Sequence, residues 1–193
     1  TSPTLIATAA LLVGCAGFGA DGGLGPAQQA AQQRLGNKEL VWARSDAERD
    51  RIDARVAELL RQPLSADAAV QIALLNHRGL QASFHDLGIS EAELVQASRL
   101  PNPGFSFGKF KAGDEREIER GFHFSLARII AMPWLRDAKR SRFEATQGAV
   151  ALRVLETGAA ARKAWVQAVA AQEGVRYAQQ VMRAAEASAE LAR

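Results

Sequence analysis

Mainly α structure with one β-hairpin, set between long coiled-coil helices, is the fold class this 193-residue sequence predicts. Three observations carry that expectation. The runs Phe105-Ser106-Phe107-Gly108 and Phe122-His123-Phe124-Ser125-Leu126 alternate a large apolar residue with a small or polar one, the period-2 pattern of strands with one greasy and one wet face. The stretches on either side are rich in alanine and repeat their apolar residues every seven positions, as packed helices do. Aromatic residues make up only 6% of the chain, which suits slender helices better than a globular centre. A hairpin in such a chain has two natural settings. It covers a helical core, or it belongs to an oligomeric transmembrane β-barrel to which several chains contribute strands. The flanking elements favour the barrel.

Charge excludes one broad class. The formal net charge is +3, with 24 basic residues scattered among 21 acidic ones. Without a polybasic cluster or interleaved aromatic and basic residues, no nucleic-acid partner is expected. The chain starts at Thr1 without an initiator methionine and stops at Arg193 inside a helical pattern, and so reads as a fragment. A lone cysteine, Cys15, forbids an internal disulfide.

The elements follow in order. Leu5 to Val13 is apolar apart from Thr8, too short to span a bilayer as a helix but suited to the centre of an export signal. It ends in Leu12-Val13-Gly14-Cys15, which resembles the lipobox of bacterial lipoproteins. That resemblance implies a signal peptide over 1–14, lipidation of Cys15 and a mature chain beginning there. Ala16 rather than aspartate after the cysteine is compatible with delivery to the outer membrane. A buried free cysteine in an N-terminal helix is the alternative. The glycine-rich and polar stretch up to Arg44 predicts a tether over 15–44.

Helices are expected over 45–100. Ser45-Asp46-Ala47-Glu48 has capping-box spacing and opens a helix with Ile52, Val56, Leu59 and Leu60 on one stripe, ending before Pro63. A second helix starts at the Leu64-Ser65 cap and runs to Leu100, with Ala73, Leu80, Leu87 and Leu94 as its seam and Val70 and Phe84 on the companion positions. His77 and His85 lie two turns apart on it, too far to converge on a metal, so hydrogen-bonded or solvated histidines are expected and no metal site is assigned.

The hairpin is expected over 101–132. Pro101 and Pro103 force an extended path, strand one runs from Gly104 to about Lys111, Ala112 to Arg120 is a charged loop, and strand two runs from Gly121 to about Met132. On the barrel reading Phe105, Phe107, Phe122, Phe124 and Leu126 face lipid, while Ser106, Gly108, His123, Ser125 and Ala127 face a watery lumen. Arg128 continues the lipid-facing parity, which requires a headgroup boundary or a bulge there. Pro133 then opens the last helix, 133–193, with Trp134 suited to a membrane boundary. At 1.5 Å per residue this helix is a rod on the order of 90 Å. Phe143, Val150, Thr157, Ala164, Ala171, Ala178, Ala185 and Ala192 recur every seven residues, and Val154, Ala161, Ala168, Val175, Met182 and Ala189 fill the alternate seam.

In this order the parts resemble the TolC-like outer-membrane efflux protein family, in its lipoprotein branch, from Cys15 to Arg193. The stretches that carry the resemblance are Leu64-Ser65-Ala66-Asp67-Ala68-Ala69-Val70-Gln71-Ile72-Ala73-Leu74, Ser98-Arg99-Leu100-Pro101-Asn102-Pro103 and Arg162-Lys163-Ala164-Trp165-Val166-Gln167-Ala168-Val169-Ala170-Ala171. The resemblance implies the first of two repeats of a channel subunit, with the helices in the periplasm. Three such chains form a homotrimer that closes a barrel in outer-membrane lipid. The duct docks a periplasmic adaptor and an inner-membrane pump, and it passively exports small molecules or metal ions. The wording is nearest to members serving cation or heavy-metal pumps. No cofactor and no catalytic constellation is expected: Ser125 and His123 lack an acid to orient the histidine. The rival reading is a periplasmic coiled-coil lipoprotein acting as adaptor or scaffold.

Overall fold

A computed structural model describes residues 17–112 and 115–193. Five helices and one antiparallel hairpin follow one another among them: α1 (Gly25–Leu35), α2 (Asp46–Leu59), α3 (Ala66–Asn76), α4 (Arg78–Ala97), β1 (Gly104–Ala112), β2 (Glu115–His123) and α5 (Leu126–Leu191). Cys15 and the expected signal peptide lie outside the described residues. The chain divides into two compact units, residues 17–23 with 86–147 and residues 24–85 with 148–193, so that α4 and α5 supply residues to both.

The second of these units holds a small apolar centre. Ile52 of α2, Leu75 of α3 and Ala43 of the segment before α2 are buried together, with Val41 and Val56 packed against them. The helix starts are capped as the sequence predicts. Ser45 Oγ accepts from the Glu48 amide at 3.3 Å, and Glu48 in return accepts from the Arg44 amide at 2.8 Å. The Arg44 amide first, then the Ser45 hydroxyl donating to the same carboxylate at 3.1 Å, hold the Glu48 carboxyl below its ordinary value of 4.5. Ser65 Oγ accepts from the Ala68 amide at 3.1 Å at the start of α3.

The expected tether over 15–44 is corrected. It contains α1, which Pro26 opens and Gly36 closes with φ 79°, a left-handed value that glycine adopts without strain. Ala27 and Ala31 of this helix are buried. A Cβ at Gly158 on α5 would crowd the methyl groups of Leu35, so α1 ends close against that glycine. The following segment is held by glutamines. Gln71 accepts from the Glu39 amide and donates to the Glu39 carbonyl, both at 3.0 Å. Gln81 accepts from the Ala43 amide at 3.0 Å and donates to the Val41 carbonyl at 2.8 Å. Two side-chain amides thus supply what a neighbouring strand otherwise would. Polar, glycine-rich composition hid this, because the partners lie more than thirty residues away.

A second correction concerns the helix expected from Leu64 to Leu100. It breaks at His77, whose backbone is extended (φ −73°, ψ 109°). His77 Nδ1 accepts from the Leu80 amide at 3.1 Å and restarts the helix as a cap. Of the expected seam and its companion positions, Leu80, Leu87, Val70 and Phe84 are buried despite the break, and Leu74, Leu75 and Val95 are buried with them. Ala73 and Leu94 of the expected seam are only half-buried. On α5 the seam residues Val150, Val154 and Thr157 are buried. From Val166 onward every residue of the helix is exposed.

Candidate functional site

The hairpin is the feature that the rest of its unit presents to the outside. The helices that lead into and out of it, α4 and α5, are joined to each other by ion pairs. Glu93 accepts from Lys139 Nζ at 2.9 Å, with Arg142 Nη1 at 3.3 Å from the same oxygen. The Lys139 bond first, then the Arg142 charge, holds the Glu93 carboxyl below its ordinary 4.5 against the opposing effect of burial. Residues 17–23 are tied in by two more bonds: the Gly19 amide donates to Glu91 Oε1 at 2.6 Å, and Gln147 Nε2 donates to the Gly23 carbonyl at 3.0 Å. Beside the foot lies an open cleft of about 880 Å³, lined by Gln96, Arg99, Asn102, His123 and Arg128 among others.

Strand two differs from the expectation. It runs from Glu115 to His123 rather than from Gly121 to Met132, and the charged stretch expected as a loop forms most of it. Phe124, Ser125 and Leu126 therefore leave the strand, and the alternating-face roles given to them do not follow from its pleat. The reason is local. Ser125 Oγ accepts from the Arg128 amide at 3.3 Å, and the Ser125 carbonyl accepts from the Ile129 amide at 3.2 Å. Those bonds start α5 at Leu126, seven residues before Pro133, which lies inside the helix instead of opening it. Phe124 stays beside Phe122, their ring centroids 5.9 Å apart.

Register fixes the two faces of the hairpin. Phe105 pairs with Phe122, Phe107 with Arg120, Lys109 with Ile118 and Lys111 with Arg116. Directly opposed residues share a face, so these eight form one surface. The other carries Ser106 opposite Gly121, Gly108 opposite Glu119, Phe110 opposite Glu117 and Gly104 opposite His123. Of the residues expected from sequence, Phe105, Phe107 and Phe122 thus come together on one face and Ser106, Gly108 and His123 on the other. The second face is thin because its glycines are covered closely. A Cβ at Gly104 would strike the His123 ring, one at Gly108 the Phe110 ring, and one at Gly121 the Ser106 hydroxyl.

No described side chain of the hairpin is buried. Phe105 is 71% exposed, Phe107 60% and Phe122 66%. On α5, Leu126, Ile130 and Trp134 are also exposed and spaced by four, which puts them on one side of that helix. An acid at every second position, Glu115-Arg116-Glu117-Ile118-Glu119-Arg120, was the sequence signal that could have revealed strand two.

His123 and Ser125 are engaged structurally, the one over Gly104 and the other as a helix cap. His85 lies edge-on to Trp42 with ring centroids 5.6 Å apart. Among the described residues, no group of three or more His, Cys, Asp or Glu side chains converges as metal ligands would, and no helix is long and apolar enough to cross a membrane. No family model, no curated protein and no solved structure matches the chain.

Proposed function

We propose that the chain is part of a channel subunit for export across an outer membrane. It supplies two strands of a shared barrel and the long helices of a periplasmic tunnel, as the resemblance to TolC-like efflux proteins implies. One observation carries the reading. The hairpin's phenylalanines are exposed on a strand face that nothing in their own unit covers. In water a two-stranded hairpin with bare aromatic rings and two unpaired edges is marginal at best. Neighbouring strands from other chains would pair its edges, and lipid would take up its rings. The nine-residue strands match the roughly nine to eleven residues of a tilted membrane strand.

On this reading the duct is passive, the partners are two further copies, a periplasmic adaptor and an inner-membrane pump, and Cys15 carries the lipid anchor. Small molecules or metal ions are the cargo. Expression of the complete gene in a Gram-negative bacterium deprived of its own duct tests the proposal, with metal and drug tolerance scored separately. Restored tolerance to either is the expected result. Protein present in the outer membrane without rescue of either would count against export.

The adaptor or scaffold reading draws on a different observation. Residues 166–191 of α5 are exposed and carry Val175 and Met182, 59% and 56% exposed, on the expected seam. Such a helix offers itself to other helices whether or not a barrel forms. Outer-membrane protein that assembles no heat-resistant trimer would favour this second reading.

A further inference from the structure

We infer that the phenylalanine face of the hairpin binds the phosphates of an anionic lipid surface through Lys109, Lys111, Arg116 and Arg120. This deepens, and rests on, the membrane reading above. The register sorts charge by sign. Those four cations lie on the same face as Phe105, Phe107, Phe122 and Ile118, whereas Glu117 and Glu119 lie on the other. Arg116 and Arg120 are each one residue from an acid in sequence, yet the pleat turns the acids away. Among the described residues none of the four cations forms an ion pair. Lys111 and Arg116 are paired directly across the strands, an arrangement of like charges that costs stability unless an anion joins them.

The order along the strands points to the kind of anion. Phe105 and Phe122 form the rung at the foot, the two mixed rungs follow, and Lys111 and Arg116 form the cationic rung toward the tip. Six residues at about 3.3 Å each put about 20 Å between the two ends. An amphiphile graded from acyl chain to phosphate matches that sequence of rungs. A nucleic-acid strand would instead ask for rings and cations interleaved along its whole length. Leu126, Ile130 and Trp134 of α5 are further exposed apolar side chains in the same unit.

Co-sedimentation of the purified 193-residue chain with vesicles tests this. Vesicles of phosphatidylcholine alone are compared with vesicles in which about a third of the lipid is phosphatidylglycerol. At low salt the anionic vesicles should bind at least tenfold better, and half-molar sodium chloride should erase the difference. Each cation near an anionic surface is worth about fivefold in partitioning. Lys109→Gln with Lys111→Gln and Arg120→Gln should therefore lower binding to anionic vesicles by on the order of a hundredfold. Glu117→Gln with Glu119→Gln should leave the preference in place. The salt arm needs no variant, so a misfolded mutant cannot decide the matter. Equal binding to both vesicles would overturn the headgroup claim and leave the membrane reading standing. Binding to neither would overturn both. Tight binding to a single-stranded oligonucleotide, with none to vesicles, would replace the lipid by nucleic acid.

Discussion

Individual side chains decide where this chain stops being helix. Ser45 and Glu48 satisfy each other's neighbourhood at the start of α2, and this reciprocal pair could be read directly from its spacing. Its pH behaviour has a definite sign. Glu48 has a folded-state value below 4.5, so its contribution is fully present above that unfolded value and is lost as pH falls through the lowered one. Ser45→Ala should destabilise by about 1 kcal/mol, and Glu48→Gln should flatten the acid limb of a urea-midpoint against pH curve below about pH 4.5. Glu93 follows the same direction, through Lys139 first. Gln81 is more consequential, being buried to 8% exposure with both ends of its amide engaged. Gln81→Ala leaves the Ala43 amide and the Val41 carbonyl without that partner, a loss of about 1–3 kcal/mol that chemical denaturation would report.

At the scale of elements, the hairpin and the long last helix were legible, but the point where one gives way to the other was not. Phenylalanine alternation located β1 well, because its polar partners are small and the prolines before it exclude helix. The same alternation continued past His123, yet a single serine hydroxyl at 125 is enough to begin α5 there. Pro133 added a false start signal. Proline is at home in a first turn, and the preceding seven residues are apolar enough to extend either a strand or a helix. Inside α5 the ring deprives the Ile129 carbonyl of its usual donor and crowds it. Pro133→Ala should therefore stabilise the helix, by up to about 3 kcal/mol, visible as a higher Tm by circular dichroism. Ser125→Ala should act oppositely, by about 1 kcal/mol. The charged run of β2 was missed for a different reason. Glutamate and arginine are read as solvated loop, and only the acid at every second position betrays a pleat with two differently charged sides. The helix expected to run unbroken to Leu100 is interrupted at His77, because a histidine carries no breaking propensity strong enough to flag an extended residue.

Across the whole molecule, protection from solvent is concentrated in a few places and absent from others. Val150 to Gly158 of α5 contains the helix's buried residues, while the turns from Val166 to Leu191 have none. Helix without a packed face is marginal in water. Amide hydrogen exchange should thus be markedly faster over 166–191 than over 150–158, and association with other helices should slow it. Uniform slow exchange along the helix would contradict that picture. The glutamine pair has a wider consequence for how this sequence can vary. His77 sits at an exposed bend between two helices, the sort of place where an inserted or deleted residue is ordinarily harmless. Yet Gln71 and Gln81, on opposite sides of that bend, grip the same extended segment at Glu39 and at Val41 and Ala43. One residue more or less between them would turn Gln81 by about 100° about its helix. The bend is therefore a gauge of fixed length: another residue able to cap the Leu80 amide could replace His77, but none could be added or removed.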